Sequence, residues 1–146
     1  MAQNILKDQK SKIEEKKLVV IENFNGSIPK FQTDPKFLRM IFQNLLSNAV
    51  AYTPQGGRVE LSISLDNKKT LLIKFSDTGY GIPRSQQSQI FTKLFRADNV
   101  RDKATSGTGL GLYIAKLAVE NFGGNIWFES KENKGTTFFV TLPFVI

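Results

Sequence analysis

The chain has 146 residues and a formal net charge of +7, and 40% of its residues are hydrophobic. This size and composition are typical of a single globular domain with one hydrophobic core. The chain contains no cysteine and no histidine, which excludes disulfides, thiolate nucleophiles, Ser-His-Asp catalysis and zinc sites that need imidazole or thiolate. Any chemistry must therefore depend on carboxylates, amides, lysine, arginine or a group from another molecule.

The first part of the chain predicts a helix, a strand and a longer helix. The charged segment Asn4–Lys17 predicts a solvated helix that would be poorly buried by itself, and residues 17–24, KLVVIENF, predict a strand. Asp34 is a typical N-cap and Pro35 a typical first residue for the amphipathic helix that follows. Pro54 marks the end of that helix.

The remainder of the chain predicts two hairpins. Residues 58–66, RVELSISLD, and 70–77, TLLIKFSD, predict the first hairpin, and NIWFES at 125–130 with TTFFVTLP at 136–143 predicts the second. Between the hairpins, the sequence predicts a glycine-rich turn into a short helix, an aperiodic polar loop and a further helix that ends at a glycine C-cap. The elements indicate an α+β domain with a mixed sheet covered by about three helices.

Two asparagines stand one turn apart on the long helix. On a helical wheel Asn48 falls within the apolar arc, between Phe37 and Ile41, and Asn44 lies at the edge of that arc. A buried amide costs about 1–3 kcal/mol unless it is hydrogen-bonded. A bond to neighbouring backbone is the common solution, and a magnesium ion accompanied by a polyphosphate is the alternative. The helix alone leaves both interpretations open.

Two glycine-rich segments offer further polar groups. In SDTGYGIP, Asp77 ends an apolar strand, and Gly79 and Gly81 permit a turn in which backbone approaches a flat ligand closely. The carboxylate could accept a hydrogen bond from an exocyclic amine such as that of adenine, or it could close a simple Asx turn. In SGTGLGL, glycines flank a helix start, where backbone amides and the helix dipole favour phosphate.

In this order and spacing, the three segments resemble the N, G1 and G2 boxes in the ATP-binding catalytic domain of sensor histidine kinases. The segment IFTKLFR between the last two resembles the F box. The wider GHKL superfamily also contains gyrase B, the MutL proteins and the large heat-shock chaperones. The resemblance covers residues 34–143 and implies the Bergerat fold, a two-layer α/β sandwich. That fold has a mixed, mainly antiparallel sheet, about three helices on one face and a flexible ATP lid.

The resemblance also implies which residues bind ATP and Mg²⁺. Asn48 would be the metal ligand, Asn44 its companion at the phosphates, and Asp77 the group that recognises the adenine amine. Asn44 and Arg96 would be the catalytic residues. The further implied nucleotide contacts are Tyr52 over the base, Gly79, Gly81 and Ile82 at its wall, Thr137 through water, Lys93 and Arg96 at the phosphates, and Gly107, Thr108, Gly109, Leu110 and Gly111 in the lid. Phe91 and Phe95 would be hydrophobic anchors of the lid.

Two positions bear on the reaction. Asn44 stands where hydrolytic relatives carry a glutamate base, and an amide cannot accept a proton at neutral pH, so we expect phosphotransfer and no efficient hydrolysis. Ala51 replaces a lysine that family members commonly use at phosphate, and Lys93 could compensate for that loss. A nucleotide-binding scaffold without phosphotransfer and a GHKL-type ATPase are the alternatives.

The missing histidine implies that the phosphoacceptor lies on another domain. We expect residues 1–17 to be the remnant of a connecting helix and residues 18–146 to be the catalytic domain. The expected partners are ATP, the phosphoacceptor domain of the same parent kinase and, through that domain, a response regulator. We expect no direct membrane contact, because the chain has no apolar run of about 20 residues, and no nucleic-acid contact, because it has no basic–aromatic interleaving. The resemblance implies a monomer, since the family places the dimer contact elsewhere, and a location in the cytoplasmic portion of a membrane-anchored sensor.

Overall fold

The computed structural model describes residues 2–24, 33–66, 69–92 and 110–143. Within those ranges the helices are α1 (Ala2–Asp8), α2 (Lys10–Glu15), α3 (Pro35–Ala51) and α4 (Gly111–Asn121), and a 3-10 helix spans Arg84–Gln89. The strands are β1 (Val19–Phe24), β2 (Arg58–Asp66), β3 (Thr70–Asp77), β4 (Asn125–Lys131) and β5 (Gly135–Pro143). Across these parts of the chain, no helix combines the length and the apolar character needed to cross a membrane.

The five strands form one sheet in the order β1-β2-β3-β5-β4. β1 pairs with β2 in parallel, and the other neighbouring strands pair antiparallel. Buried residues alternate along β3 and β5, and they share a core with α3 and α4. One face of the sheet is therefore covered by helices. The α+β class, the mixed and mainly antiparallel sheet and both hairpins are confirmed.

The long helix α3 begins and ends where the sequence predicts. Oδ1 of Asp34 accepts a hydrogen bond from the backbone amide of Lys36 at 2.9 Å, and Pro35 is the first helical residue. At the other end, the amide of Tyr52 donates to the carbonyl of Asn48. The buried face of the helix consists of Leu38, Ile41, Phe42, Leu45, Leu46, Ala49 and Val50. That face fixes the rotation of α3 and hence the direction of its polar residues.

The N-terminal segment is more buried than the sequence suggests. It forms two short helices, α1 and α2, and Ile5 is only 1% exposed within the main core. Arg39 on α3 donates to Oδ2 of Asp8 at 2.9 Å, so α1 is also attached by an ion pair. The sequence predicts one charged helix that would be poorly buried by itself. The structure divides the segment into two helices, and within residues 4–17 only Ile5 and Leu6 are buried, which is enough to attach α1 to the core.

Phe91, in the described part of the segment that resembles the F box, packs through aromatic contacts. The ring of Phe91 lies 5.9 Å from that of Phe128 and 6.2 Å from that of Phe138, both edge-on. Nζ of Lys116 lies 5.4 Å from the centre of the Phe91 ring. Phe91 is therefore tied to the second hairpin and to α4. Phe95 lies outside the described residues.

Candidate functional site

The candidate site lies where three elements meet. The second half of α3 faces the loop that follows β3, because the amide of Tyr80 donates to the carbonyl of Tyr52 at 3.1 Å. The same helix faces the start of α4, since a Cβ added to Gly111 would lie 3.3 Å from Oδ1 of Asn44. The end of β3, the second half of α3 and the first turn of α4 therefore border one region.

Asp77 is the last residue of β3, and its side chain is half-buried. Its Oδ1 accepts hydrogen bonds from the backbone amides of Gly79 at 2.9 Å and Thr136 at 3.3 Å. Desolvation raises the pKa of Asp77 from 3.8 to about 6, and the two amide bonds oppose that rise. Among the described residues both bonds go to Oδ1, so Oδ2 is left to accept a hydrogen bond from a ligand.

Two glycines shape the loop after Asp77 because protein backbone approaches them closely. A Cβ on Gly79 would lie 2.3 Å from the carbonyl oxygen of Tyr52. Gly81 has a φ of +69°, and a Cβ there would lie 2.0 Å from the carbonyl oxygen of Lys131. The sequence predicts that these glycines let backbone approach a flat ligand closely. In the structure their small size first allows the loop to pack between α3 and the second hairpin, and the amide of Ile82 secures it by donating to Oγ of Ser130 at 2.8 Å.

The two threonines of β5 have different environments. Asp77 pairs with Thr136 and Ser76 pairs with Thr137, and successive side chains of a strand point to opposite faces. The hydroxyl of Thr137 lies 2.8 Å from that of Ser76, on the face away from the Asp77 side chain. Thr136 is 7% exposed and shares the face of Asp77. The strand register therefore places Thr136, and not Thr137, beside the Asp77 side chain, while the nucleotide contact expected of Thr137 stays a prediction.

Which of the two threonines shares the face of Asp77 depends on the register of two strands that are distant in the chain. The sequence shows two consecutive threonines after Gly135 and gives no reason to prefer either. Only the pairing of β3 with β5 decides which of the two faces the carboxylate. Counting the alternation backward from the apolar Phe138 would have identified Thr136 as core-facing.

The two asparagines of α3 differ in their bonding. Nδ2 of Asn44 donates to the carbonyl of Met40 at 2.7 Å, one turn earlier in the helix. The amide nitrogen of Asn44 is thus satisfied by backbone, as is common for a polar side chain in a helix. Its Oδ1 lies toward Gly111. The side chain of Asn48 is half-buried and makes no hydrogen bond to any residue in the described ranges. Its amide oxygen is therefore available to a ligand.

The asparagines of α3 could hold a magnesium ion only together with ligands from another molecule. The described residues contain no group of three or more acidic, histidine or cysteine side chains that could hold a metal by themselves. Mg²⁺ commonly uses one or two protein oxygens, with waters and substrate phosphates completing its octahedron. The amide oxygen of Asn48 suits that arrangement, in which the metal arrives with a polyphosphate.

The remaining candidate residues divide between described and undescribed parts of the chain. Tyr52 caps the end of α3 and is half-buried, Leu110 is the residue before α4, and Gly111 is its first residue. Within the described part of the chain, no side chain caps the start of α4 with a hydrogen bond. The candidates that lie outside the described residues are Lys93, Arg96, Gly107, Thr108 and Gly109.

Comparison with known sequences gives a consistent family. A sequence model described as "Histidine kinase-, DNA gyrase B-, and HSP90-like ATPase" matches residues 33–146. The chain is 41% identical over 114 residues to the sensor histidine kinase WalK of Bacillus subtilis, covering 77% of the chain and 19% of WalK. It is 35% identical over 143 residues to the adaptive-response sensory kinase SasA of Rippkaea orientalis, covering 98% of the chain and 36% of SasA. The chain thus spans about a fifth to just over a third of these relatives.

Solved structures share the fold. The catalytic domain of histidine kinase ThkA superposes with a TM-score of 0.83 at 24% identity, over 99% of this chain and 92% of that one. Full-length ShkA, solved in complex with AMPPNP, superposes with a TM-score of 0.83 at 24% identity, over 99% of this chain and 29% of that one. The sheet and helices described above therefore have the arrangement found in histidine kinase catalytic domains.

Proposed function

Because the chain belongs to the histidine kinase-, DNA gyrase B- and HSP90-like ATPase family, we propose that it binds Mg-ATP and donates the γ-phosphate to a histidine on a separate phosphoacceptor domain. Its similarity to WalK and SasA favours the sensor histidine kinase branch of the family. The observation that carries the proposal is the state of Asp77. Two backbone amides hold one oxygen of this carboxylate and leave the other for a ligand, beside the helix that carries the two asparagines.

Each described polar group has a distinct role in this proposal. Oδ2 of Asp77 accepts a hydrogen bond from the exocyclic amine of adenine, and Thr136 supports the same end of the base. The amide oxygen of Asn48 holds Mg²⁺, which neutralises charge on the phosphates when it is bound. Asn44 stands beside the start of α4, where amides that lack helical partners favour phosphate. Because Asn44 cannot act as a base, the residues favour transfer of the phosphoryl group over hydrolysis.

The remaining parts of the proposal concern the rest of the parent protein. The acceptor histidine belongs to a phosphoacceptor domain of the same kinase, since this chain has none, and a response regulator receives the phosphoryl group from that domain. Residues 1–17 derive from the helix that connects the two domains. The isolated domain is a monomer in the cytoplasmic portion of a membrane-anchored sensor.

Nucleotide affinity tests the binding step. We expect wild-type protein to bind AMPPNP more tightly with Mg²⁺ than without it, by calorimetry. Asn48→Ala should weaken the Mg²⁺-dependent binding roughly 10- to 100-fold, the usual worth of an interaction with a charged group. Gln43→Ala, on the exposed face of the same helix, is the matched control and should bind as the wild type does. Equal affinity in wild type and Asn48→Ala would contradict the assignment of the metal ligand.

Transfer of labelled phosphate tests the reaction. The protein is mixed with labelled ATP and a phosphoacceptor domain that carries a histidine, and acid-labile label on the acceptor is the expected result. Asp77→Asn should abolish transfer at limiting ATP. Confirmed ATP binding without transfer to any acceptor tested would favour the scaffold alternative. Phosphate release without an acceptor would favour the ATPase alternative.

A further inference from the structure

Lys16 is distant in sequence from the residues of the proposed nucleotide site, but its side chain bonds to the end of α3, the helix that carries Asn44 and Asn48. Nζ of Lys16 donates to the carbonyl oxygens of Val50 at 2.9 Å, Ala51 at 2.9 Å and Thr53 at 3.0 Å. These carbonyls belong to the end of α3, where oxygens lack partners within the helix and where the dipole favours a cation. The last turn of α3 has no basic residue of its own. An ammonium from 35 residues earlier supplies the missing charge.

Backbone bonds continue this contact along the loop after α3. The amide of Gly56 donates to the carbonyl of Lys16 at 2.8 Å. The amide of Val19 donates to the carbonyl of Gly57 at 2.9 Å. Residues 16–19 therefore hold one side of the 52–58 loop at several points.

The other side of the same loop contacts the residues that follow Asp77. The amide of Tyr80 donates to the carbonyl of Tyr52, and Gly79 packs directly on that oxygen. The amide of Arg58 donates to Oγ1 of Thr78 at 2.8 Å. The 52–58 loop thus lies between residues 16–19 and residues 78–80. The carbonyls of Ala51 and Thr53, which accept from the Lys16 ammonium, flank the carbonyl of Tyr52. Gly79, which packs on the Tyr52 carbonyl, donates its amide to Oδ1 of Asp77.

We propose that Lys16 is a positioning residue for the nucleotide site. By fixing the last turn of α3, its ammonium holds the Tyr52 carbonyl against Gly79 and Tyr80, and so keeps Asp77 in the geometry that accepts adenine. The inference rests on the proposed function for its affinity readout. Burial of the ammonium, with Lys12 nearby, lowers the pKa of Lys16, which agrees with a partly desolvated contact in place of a freely solvated surface charge.

A purely stabilising helix cap is the competing explanation. Such a cap would raise the free energy of unfolding and leave the folded protein's affinity unchanged. Two readouts separate the explanations, both measured where every variant is fully folded. One is the dissociation constant for AMPPNP with Mg²⁺. The other, in nucleotide-free protein, is the hydrogen-exchange rate of the Tyr80 amide compared with that of Ile73 in the centre of β3.

The variants are Lys16→Met, which removes the ammonium but keeps the stem, and Lys16→Arg, which keeps a cation with several donors. Lys10→Met is the control, because among the described residues Lys10 makes only an exposed pair with Glu14, at 3.8 Å. We expect Lys16→Met to raise the dissociation constant roughly three- to tenfold, the range for residues that couple to a site through a contact network. Tyr80 exchange should accelerate without a matching change at Ile73. Lys16→Arg should restore both values, and Lys10→Met should change neither.

An unchanged dissociation constant and unchanged Tyr80 exchange in folded Lys16→Met would overturn the inference, whatever happens to the melting temperature. If Lys16→Met does not fold, Lys16→Gln, which keeps N–H donors on a shorter stem, provides the same comparison. Wild-type protein that binds no nucleotide would defeat the proposed function. The exchange of Tyr80 would then still decide whether Lys16 holds the loop.

Discussion

The backbone amide of Thr136 lies 3.3 Å from Oδ1 of Asp77, and the two residues are direct partners in the register of β3 and β5. With the second bond from Gly79, this contact fixes the orientation of the carboxyl group at the end of the strand. Both bonds favour the ionised form, yet burial outweighs them and raises the pKa to about 6. The carboxylate is thus oriented for a ligand at a cost in stability.

Nucleotide affinity should fall as the pH drops through about 6, because protonation neutralises the Asp77 carboxylate that accepts the hydrogen bond from the adenine amine. A single site predicts about twofold weaker binding at pH 6 and about tenfold weaker binding at pH 5 than at pH 8. The ligand's phosphate also titrates in this range, so the control is the same titration with Asp77→Asn. The fall in affinity that is due to Asp77 should be absent from that variant. An identical pH profile in both proteins would contradict the role of Asp77.

The same shift determines how stability depends on pH. The folded pKa of about 6 exceeds the ordinary value of 3.8, so the folded protein binds this proton more tightly than the unfolded chain does. The resulting stabilisation is complete below about 3.8 and is lost as the pH rises to about 6. Asp77→Asn, which cannot ionise, should therefore gain on the order of 1–2 kcal/mol over wild type between pH 4 and pH 7 in urea unfolding. If the difference in free energy of unfolding between Asp77→Asn and wild type were the same at pH 4 and pH 7, burial would not destabilise the carboxylate.

Paired substitutions of the two threonines test the strand register at the site. Thr136→Val should weaken nucleotide binding roughly three- to tenfold, about the worth of one neutral hydrogen bond. It should also lower the free energy of unfolding by about 1 kcal/mol, because the Thr136 hydroxyl lies 2.7 Å from that of Ser130. Thr137→Val should leave the affinity unchanged and lower the free energy of unfolding by about 1 kcal/mol, through loss of its bond to Ser76. Calorimetry and urea unfolding of both variants give the comparison. The reverse pattern would return the assignment to Thr137.

Much of the fold can be predicted from local sequence. Asp34 and Pro35 define the start of α3, and alternating apolar residues define β3 and β5, because these signals depend only on neighbouring residues. Asn48 and Asp77 could also be singled out, since each places a polar group at an unusual point in an apolar pattern. Their assignment to ATP needed the order of several motifs together.

The rest depends on contacts between distant parts of the chain. Lys16 resembles the other lysines of its charged segment, and its carbonyl partners lie 34 to 37 residues away. The choice of Thr136 over Thr137 needs the β3–β5 register. Gly79 suggests close approach of another group, but the sequence does not reveal that this group is the backbone of Tyr52.

Alanine at either glycine of the Asp77 loop should lower the stability of the protein, because the added Cβ would meet a backbone carbonyl. At Gly79 a Cβ would meet the Tyr52 carbonyl at 2.3 Å, and at Gly81 it would meet the Lys131 carbonyl at 2.0 Å at a φ of +69°. Each substitution should lower the free energy of unfolding by roughly 2–4 kcal/mol, because neighbouring backbone must shift.

Gly56→Ala is the matched control for that comparison. Its φ is +82°, but nothing lies within 4 Å of the added Cβ, so only the backbone conformation contributes, at about 1–2 kcal/mol. Urea unfolding measures all three variants. Gly81 and Gly56 both have a positive φ, so equal losses at these two positions would show that the close approach of the Lys131 carbonyl is relaxed without cost.

Ile5→Ala tests whether α1 is an integral part of this domain. A seven-residue helix is not stable alone in water, so α1 persists because Ile5, at 1% exposure, occupies the core. The substitution should lower the free energy of unfolding by roughly 2–4 kcal/mol, whereas Lys7→Ala on the exposed side of α1 should change it by less than about 0.5 kcal/mol. A small loss at Ile5 would mean that the domain is self-sufficient from residue 18 and that α1 is a separable extension. A large loss would mean that the folding unit includes the segment that carries Lys16. That segment would then be coupled to α3 in two ways, through the packing of Ile5 in the core and through the hydrogen bonds of the Lys16 ammonium.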